Sequence, residues 1–117
     1  MLPPGPALKL TVYLNQDTAA AGGFLADDIV RLLRRNGIHG ATVFHGHAGF
    51  GAHHQLHTSG ASDVGGLHLP IIVQFIEKRE KVDEVLPELL AMVTDGLVEV
   101  QPTEVLKHVS SAAKVIS

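Results

Sequence analysis

Histidine and glycine carry most of the chemistry this sequence could perform. Six of the eight histidines fall between His45 and His68, and no Lys or Arg occurs from Asn36 through Glu77. Imidazole nitrogens ligate divalent metals and change charge near neutral pH. His45 and His47 are two apart, so they share a face if a strand runs through them. His53 and His57 are four apart and His54 and His57 three apart, spacings that one helical turn brings together. His53, His54 and His57 are therefore the candidate metal ligands. A structural zinc site wants four ligands, so the metal expected here is an adventitious divalent ion. Gly46, Gly49 and Gly51 let backbone N–H groups approach a ligand, and such groups can cradle an anion. Phe50 stands between two of these glycines. It either plugs the core beneath the loop or stacks on a base.

Catalysis finds less support. A nucleophile needs a base and a third group to orient it. Ser59, Ser62, Asp63 and the histidines share one loop with no scaffold to hold them, and Glu77, beside Lys78 and Arg79, reads as a solvated helix start. The expectation is a protein that is not an enzyme.

Composition narrows the classes further. The chain has 117 residues, 45% of them hydrophobic, with four Phe, one Tyr and no Trp, so a single domain (1–117) with an aliphatic core is expected. Nine basic residues against twelve acidic ones give a net charge of −3 and no footprint for nucleic acid. Protonating all eight histidines would carry that charge from −3 to +5. There is no cysteine, which excludes disulfides and thiolate metal sites. The first ten residues lack the basic and apolar regions of a signal peptide, and no apolar run approaches ~20 residues, so a soluble cytoplasmic protein is expected.

The elements that must position the loop are legible from hydrophobic period. After a loose proline-rich arm (1–7), "LKLTVYL" (8–14) alternates as a half-buried strand. "FLADDIVRLLRRNG" (24–37) places Leu25, Ile29, Leu32 and Leu33 on a helical stripe, with Gly37 as a left-handed stop. "GATVFHG" (40–46) is a second strand and "LPIIVQFIE" (69–77) a third. A second helix follows with Val82, Val85, Leu86 and Leu89 inward, and Pro87 should kink or split it. "LVEV" (97–100) is a fourth strand that Pro102 ends, and "TEVLKHV" (103–109) makes a short extra one. The order predicts an α+β, ferredoxin-like βαββαβ domain with a core of about 8–109 and a weak tail from 110. Val43, Ile72, Ile76, Val98 and Val100 are expected on the sheet face away from the helices, which favours an oligomer. The segment 53–66 has little apolar content to offset its ordering cost, so poor order is expected there.

Three stretches resemble a known family: "LLRRNGIHGATVFHGHAGFG", "LPIIVQFIEKREKVDEVLPEL" and "MVTDGLVEVQPTEVLKH". Together they resemble domain of unknown function 190, a family related in fold to PII signalling proteins and to CutA proteins of metal tolerance. The resemblance implies a PII-like homotrimer that acts in signal transduction and binds a small ligand, an adenine nucleotide, in clefts between subunits. It also implies that the loop 47–66 signals to a membrane transporter or an enzyme target. The alternative it implies is a CutA-like divalent-metal protein. Carried over by position, the ligand contacts are His45, Gly46, His47, Gly49, Phe50 and Gly51 at the loop base, the turn Thr94, Asp95 and Gly96, and Lys107. His45 stands where family members often carry Arg, and only "TDG" stands before Leu97 in place of a longer glycine- and lysine-bearing loop. One lysine and a few N–H groups neutralise little charge, so AMP or ADP is expected rather than a triphosphate.

Overall fold

The computed structural model describes residues 1–15, 19–20, 23–50, 57–58 and 70–111 (for 19–20, 23 and 57–58 the backbone alone). Its elements in chain order are β1 (Gly5–Asn15), β2 (Ala19–Ala20), β3 (Gly23–Phe24), α1 (Leu25–Arg35), β4 (Thr42–His45), β5 (Ala48–Gly49), β6 (His57–Thr58), β7 (Pro70–Glu77), α2 (Arg79–Met92) and β8 (Leu97–Val105). The main sheet has the order β4-β7-β1-β8, with all neighbours antiparallel. This is the ferredoxin-like arrangement. β2 with β3, and β5 with β6, form two small ribbons of their own.

The alternation of β1 is what makes the core. Leu8, Leu10, Val12 and Leu14 point to the helices, as do Ile71, Val73 and Phe75 of β7. α1 closes over them with Leu25, Ile29, Leu32 and Leu33, and α2 with Val82, Val85 and Leu89. Asp27 and Asp28 lie in the first turn of α1, and Arg34 and Arg35 in the last, as the helix dipole favours. Gly37 ends the helix with φ +75°, its N–H bonding to the Arg34 carbonyl at 3.1 Å and that of Ile38 to Leu33 at 3.0 Å. That is the paired capping expected of a glycine stop.

Four expectations change. β1 begins at Gly5 rather than Leu8, because residues 5–7 pair with residues 103–105 of β8, and the arm shrinks to residues 1–4. Pro87 does not split α2, which runs unbroken from Arg79 to Met92. Pro87 and Asp83 are both exposed, so water can serve the carbonyl that proline leaves without a partner. Pro102 does not end the last strand, and the short extra strand is simply the second half of β8. β8 pairs only with β1, and an edge strand tolerates a missing N–H. Finally, register divides the residues expected on the uncovered sheet face. Val43 faces Val73, Val98 faces Val12 and Val100 faces Leu10, all on the helix side. The uncovered face instead carries Tyr13, Phe44, Ile72, Ile76 and Leu97.

Among the described residues, no helix is long and apolar enough to cross a membrane. Gly51, His53 and His54, the side chain of His57, the tail from residue 112 and nearly all of 53–66 lie outside the described residues.

Candidate functional site

Chain direction puts the expected ligand residues at two opposite ends of the sheet. At one end β4 stops at His45, β7 starts at Pro70 and β8 starts at Leu97. Here Gly46 leaves the strand and donates its N–H to the Pro70 carbonyl at 2.7 Å. A Cβ on Gly46 would lie 3.0 Å from Pro70 Cβ, and one on Gly49 would lie 3.1 Å from Pro70 Cγ. A side chain at either position would crowd the proline ring, so glycine suits both whatever else they do. Ala48 and Gly49 pair with Thr58 and His57, so the loop base is a ribbon rather than a bare turn. His45 and His47 are exposed. Phe50 is 67% exposed, so it does not plug the core.

The turn Thr94–Gly96 stands at this same end, on the other edge of the sheet. Gly96 has φ +158°, and a Cβ there would come within 2.5 Å of the Tyr13 carbonyl oxygen. The turn therefore lies directly against β1. Tyr13 donates its hydroxyl to Glu99 Oε1 at 2.6 Å. That bond, then burial and the charge of Glu99, raise its pKa above the usual phenol value.

Lys107 lies elsewhere. β8 runs from the Gly96 end to Val105 over nine residues, roughly 26 Å at strand rise. Within one chain, Lys107 does not meet Gly49 or Gly96. It lines a cavity of about 610 Å³ on the uncovered sheet face. Gln74, Phe75 and Ile76 of β7 form its floor, residues 39–42 one wall and residues 104–108 the other, with Leu2 also lining it. The volume falls in the range of small-molecule sites, and aliphatic, amide, hydroxyl and cationic groups line it.

A buried carboxylate fixes one wall. Glu77 is 1% exposed, which corrects its reading as a solvated helix start. It accepts hydrogen bonds from His39 Nδ1 at 2.8 Å, from the His39 N–H at 3.0 Å and from the Lys78 N–H at 3.0 Å. Burial pushes the carboxyl up, but the hydrogen bonds from the His39 ring and the two N–H groups, with the attraction of His39, outweigh it and hold it below the usual glutamate range. Since an ionised carboxylate only accepts, His39 carries its proton on Nδ1 and keeps Nε2 for another partner. The His39 ring meets His108 edge-on at 6.4 Å between centroids. His108 Nδ1 in turn accepts the Leu2 N–H at 3.0 Å.

Of the residues that line this cavity, sequence reasoning named Lys107 but not Leu2, His39, Thr42, Gln74 or His108, nor Glu77 behind His39. One signal was available. The buried set Ile71, Val73 and Phe75 continues at period two onto Glu77, which marks that carboxylate as inward-facing. Among the described residues, no group of three or more His, Asp or Glu side chains is placed to hold a metal ion.

Comparison with known proteins agrees with this fold. Residues 7–105 match the family DUF190, "Uncharacterized ACR". The UPF0166 protein MJ1524 of Methanocaldococcus jannaschii is 28% identical over 103 residues, covering 84% of this chain and 90% of that protein. A nitrogen regulatory PII-like protein, CPII, from Thiomonas intermedia K12, solved with ADP, AMP and bicarbonate, superposes with a TM-score of 0.66 at 20% identity, covering 92% of this chain and 94% of that one. A PII-like signalling protein of Thermus thermophilus gives a TM-score of 0.63 at 17% identity, covering 89% and 93%. With an antiparallel four-stranded sheet, two helices on one face and a family match across nearly the whole described core, the chain belongs to the DUF190 family and has a PII-like fold.

Proposed function

We propose that this protein is a regulatory module that binds an adenine nucleotide, AMP or ADP, between copies of a homotrimer and signals through the loop 47–66. The observation that carries the reading is the 610 Å³ cavity with Lys107 in its wall. It lies on the sheet face that the helices leave open, where Phe44 (47% exposed), Leu97 (53%) and Tyr13 (39%) await cover. A second copy laid on that face would bring its own loop base and Thr94–Gly96 turn toward the cavity, so that each copy supplies half of a cleft. Base and ribose then lie against the aliphatic and amide wall. Phosphate lies between Lys107 of one copy and backbone N–H groups of Gly49 and the Thr94–Gly96 turn in the next. The ligands named for the Thiomonas protein fit this chemistry. Metal binding in the CutA manner has no comparable support, and a divalent ion on the loop histidines would be incidental.

Calorimetry with AMP, ADP and ATP tests the reading, and light scattering tests the assembly, which should weigh about three times the 12.4 kDa chain. Lys107→Ala should weaken ADP roughly tenfold or more, the effect of losing a charge-assisted contact. Absence of heat with all three nucleotides, together with stoichiometric Zn²⁺ uptake that His53→Ala and His57→Ala abolish, would replace the proposal with the metal reading.

A further inference from the structure

Two histidines of the cavity have their protons placed by different partners. His39 gives its Nδ1 to Glu77 Oε1 at 2.8 Å, and that buried carboxylate also takes the His39 N–H and the Lys78 N–H. A carboxylate so surrounded by donors only accepts, so the proton of His39 sits on Nδ1, and Nε2 of the neutral ring holds a lone pair. His108 is arranged the other way round. Its Nδ1 accepts the Leu2 N–H at 3.0 Å, which leaves its proton on Nε2. In each ring the second nitrogen points away from the partner that occupies the first, and both residues line the cavity. The His39 side chain keeps 35% of its surface exposed although its carboxylate partner is sealed. The rings stand edge-on, with 77° between planes and 6.4 Å between centroids. A hydrogen bond spans about 2.9 Å, so one small planar group placed before the two rings reaches both.

We infer that His39 and His108 form a two-point recognition device, an acceptor beside a donor, that takes a ligand edge carrying an N–H donor next to an acceptor nitrogen or oxygen. The exocyclic amine of adenine and a ring nitrogen next to it make such an edge. The device deepens the nucleotide reading of the same cavity and rests on that reading for its natural ligand. Opposite roles also exclude ligands. A carboxylate presents two acceptors, so one of its lone pairs would face the lone pair of His39 Nε2. A guanidinium presents only donors and would set an N–H against that of His108. Neither role is left to chance, because Glu77 sets one ring and the Leu2 backbone the other. Lys107, on the same wall as His108, remains for phosphate.

NMR that correlates ring protons with both ring nitrogens reads the tautomers directly in the full chain. At about pH 8, where an ordinary imidazole is neutral, the proton should sit on Nδ1 of His39 and on Nε2 of His108. The same tautomer in both rings overturns the inference. Recognition is tested without any nucleotide by ortho-aminopyridine, which carries only the donor–acceptor edge, against its N,N-dimethyl derivative, which has lost the donor. The first should shift the ring signals of both histidines and bind about tenfold more tightly, the effect of leaving one polar group unpaired. No shift, or equal affinity, overturns the device. His108→Phe, which keeps a ring but no donor, should weaken ortho-aminopyridine by a similar factor. His108→Gln, whose amide both accepts and donates, should restore much of it. Unchanged binding in a folded His108→Phe overturns the inference, and should that variant fail to fold, the two pyridines decide. ADP should likewise bind about tenfold more tightly than its analogue dimethylated on the exocyclic amine. Should ADP fail to bind while ortho-aminopyridine shows the stated preference, the device stands and the nucleotide reading alone fails. ADP that binds no better than the dimethylated analogue keeps the nucleotide reading and overturns the device.

Discussion

One sheet presents two faces, and the same four strands build both. On the helix side Leu10, Val12 and Val73 are 0% exposed. One residue further along the same strands, on the other side, Tyr13 and Ile76 are 39% and 36% exposed and Phe44 is 47%. The alternation of β1 would serve either face equally well, since neighbouring residues point opposite ways by geometry alone. The difference lies in what covers them. Two amphipathic helices seal one face from within the chain, and nothing within the described chain seals the other. One face of the sheet is finished within the chain and the other keeps apolar side chains exposed, and the cavity lies on the unfinished side.

The largest effect should come from the finished face. Leu10→Ala leaves a cavity amid side chains that cannot collapse into it, at a cost of about 2–5 kcal/mol in denaturant unfolding. Gly96→Ala should follow, at roughly 1–3 kcal/mol, because the new methyl would have to displace the Tyr13 carbonyl, a clash of backbone with backbone. Glu77→Gln comes next, at roughly 1–3 kcal/mol near neutral pH, since an amide cannot accept all three hydrogen bonds. That variant also carries a sign. The folded value of Glu77 is lowered, so its contribution is fully present above the ordinary glutamate value of 4.5 and is lost as pH falls through the lower folded value. Glu77→Gln should therefore flatten the acid limb of stability against pH, and an unchanged limb would contradict the assignment. The smallest effect on folding belongs to the unfinished face. Phe44→Ser should shift the unfolding of dilute protein by only about 0.5 kcal/mol, yet lower the mass seen in light scattering toward that of one chain. A loss comparable to that of Leu10→Ala, with no change of mass, would erase the distinction between the faces.

How far each region could be read in advance follows the same division. β1, α1 and β7 were legible because burial on one side imposes a period, and period survives in sequence. The left-handed stop at Gly37 was legible because few residues can take that conformation. The cavity was hidden because residues 39–42 and 104–108 are far apart in the chain and meet only through the order of strands. His39 and His108 carry no local pattern that pairs them. Glu77 was misread because its charged neighbours Lys78 and Arg79 suggested solvent, while its inward parity was the stronger signal. Gly46 and Gly49 were read toward a ligand, yet a side chain at either would crowd the ring of Pro70.

The proline in β8 has a further consequence. β8 offers a nine-residue outer edge, and a long exposed edge is a template on which another chain can add a strand without limit. Pro102 removes one donor from the ladder near the far end, and Glu99 and Glu104 place like charges along the strand. A second β8 laid alongside would meet both a missing hydrogen bond and repulsion. The edge is thereby a poor template for open-ended stacking into fibres.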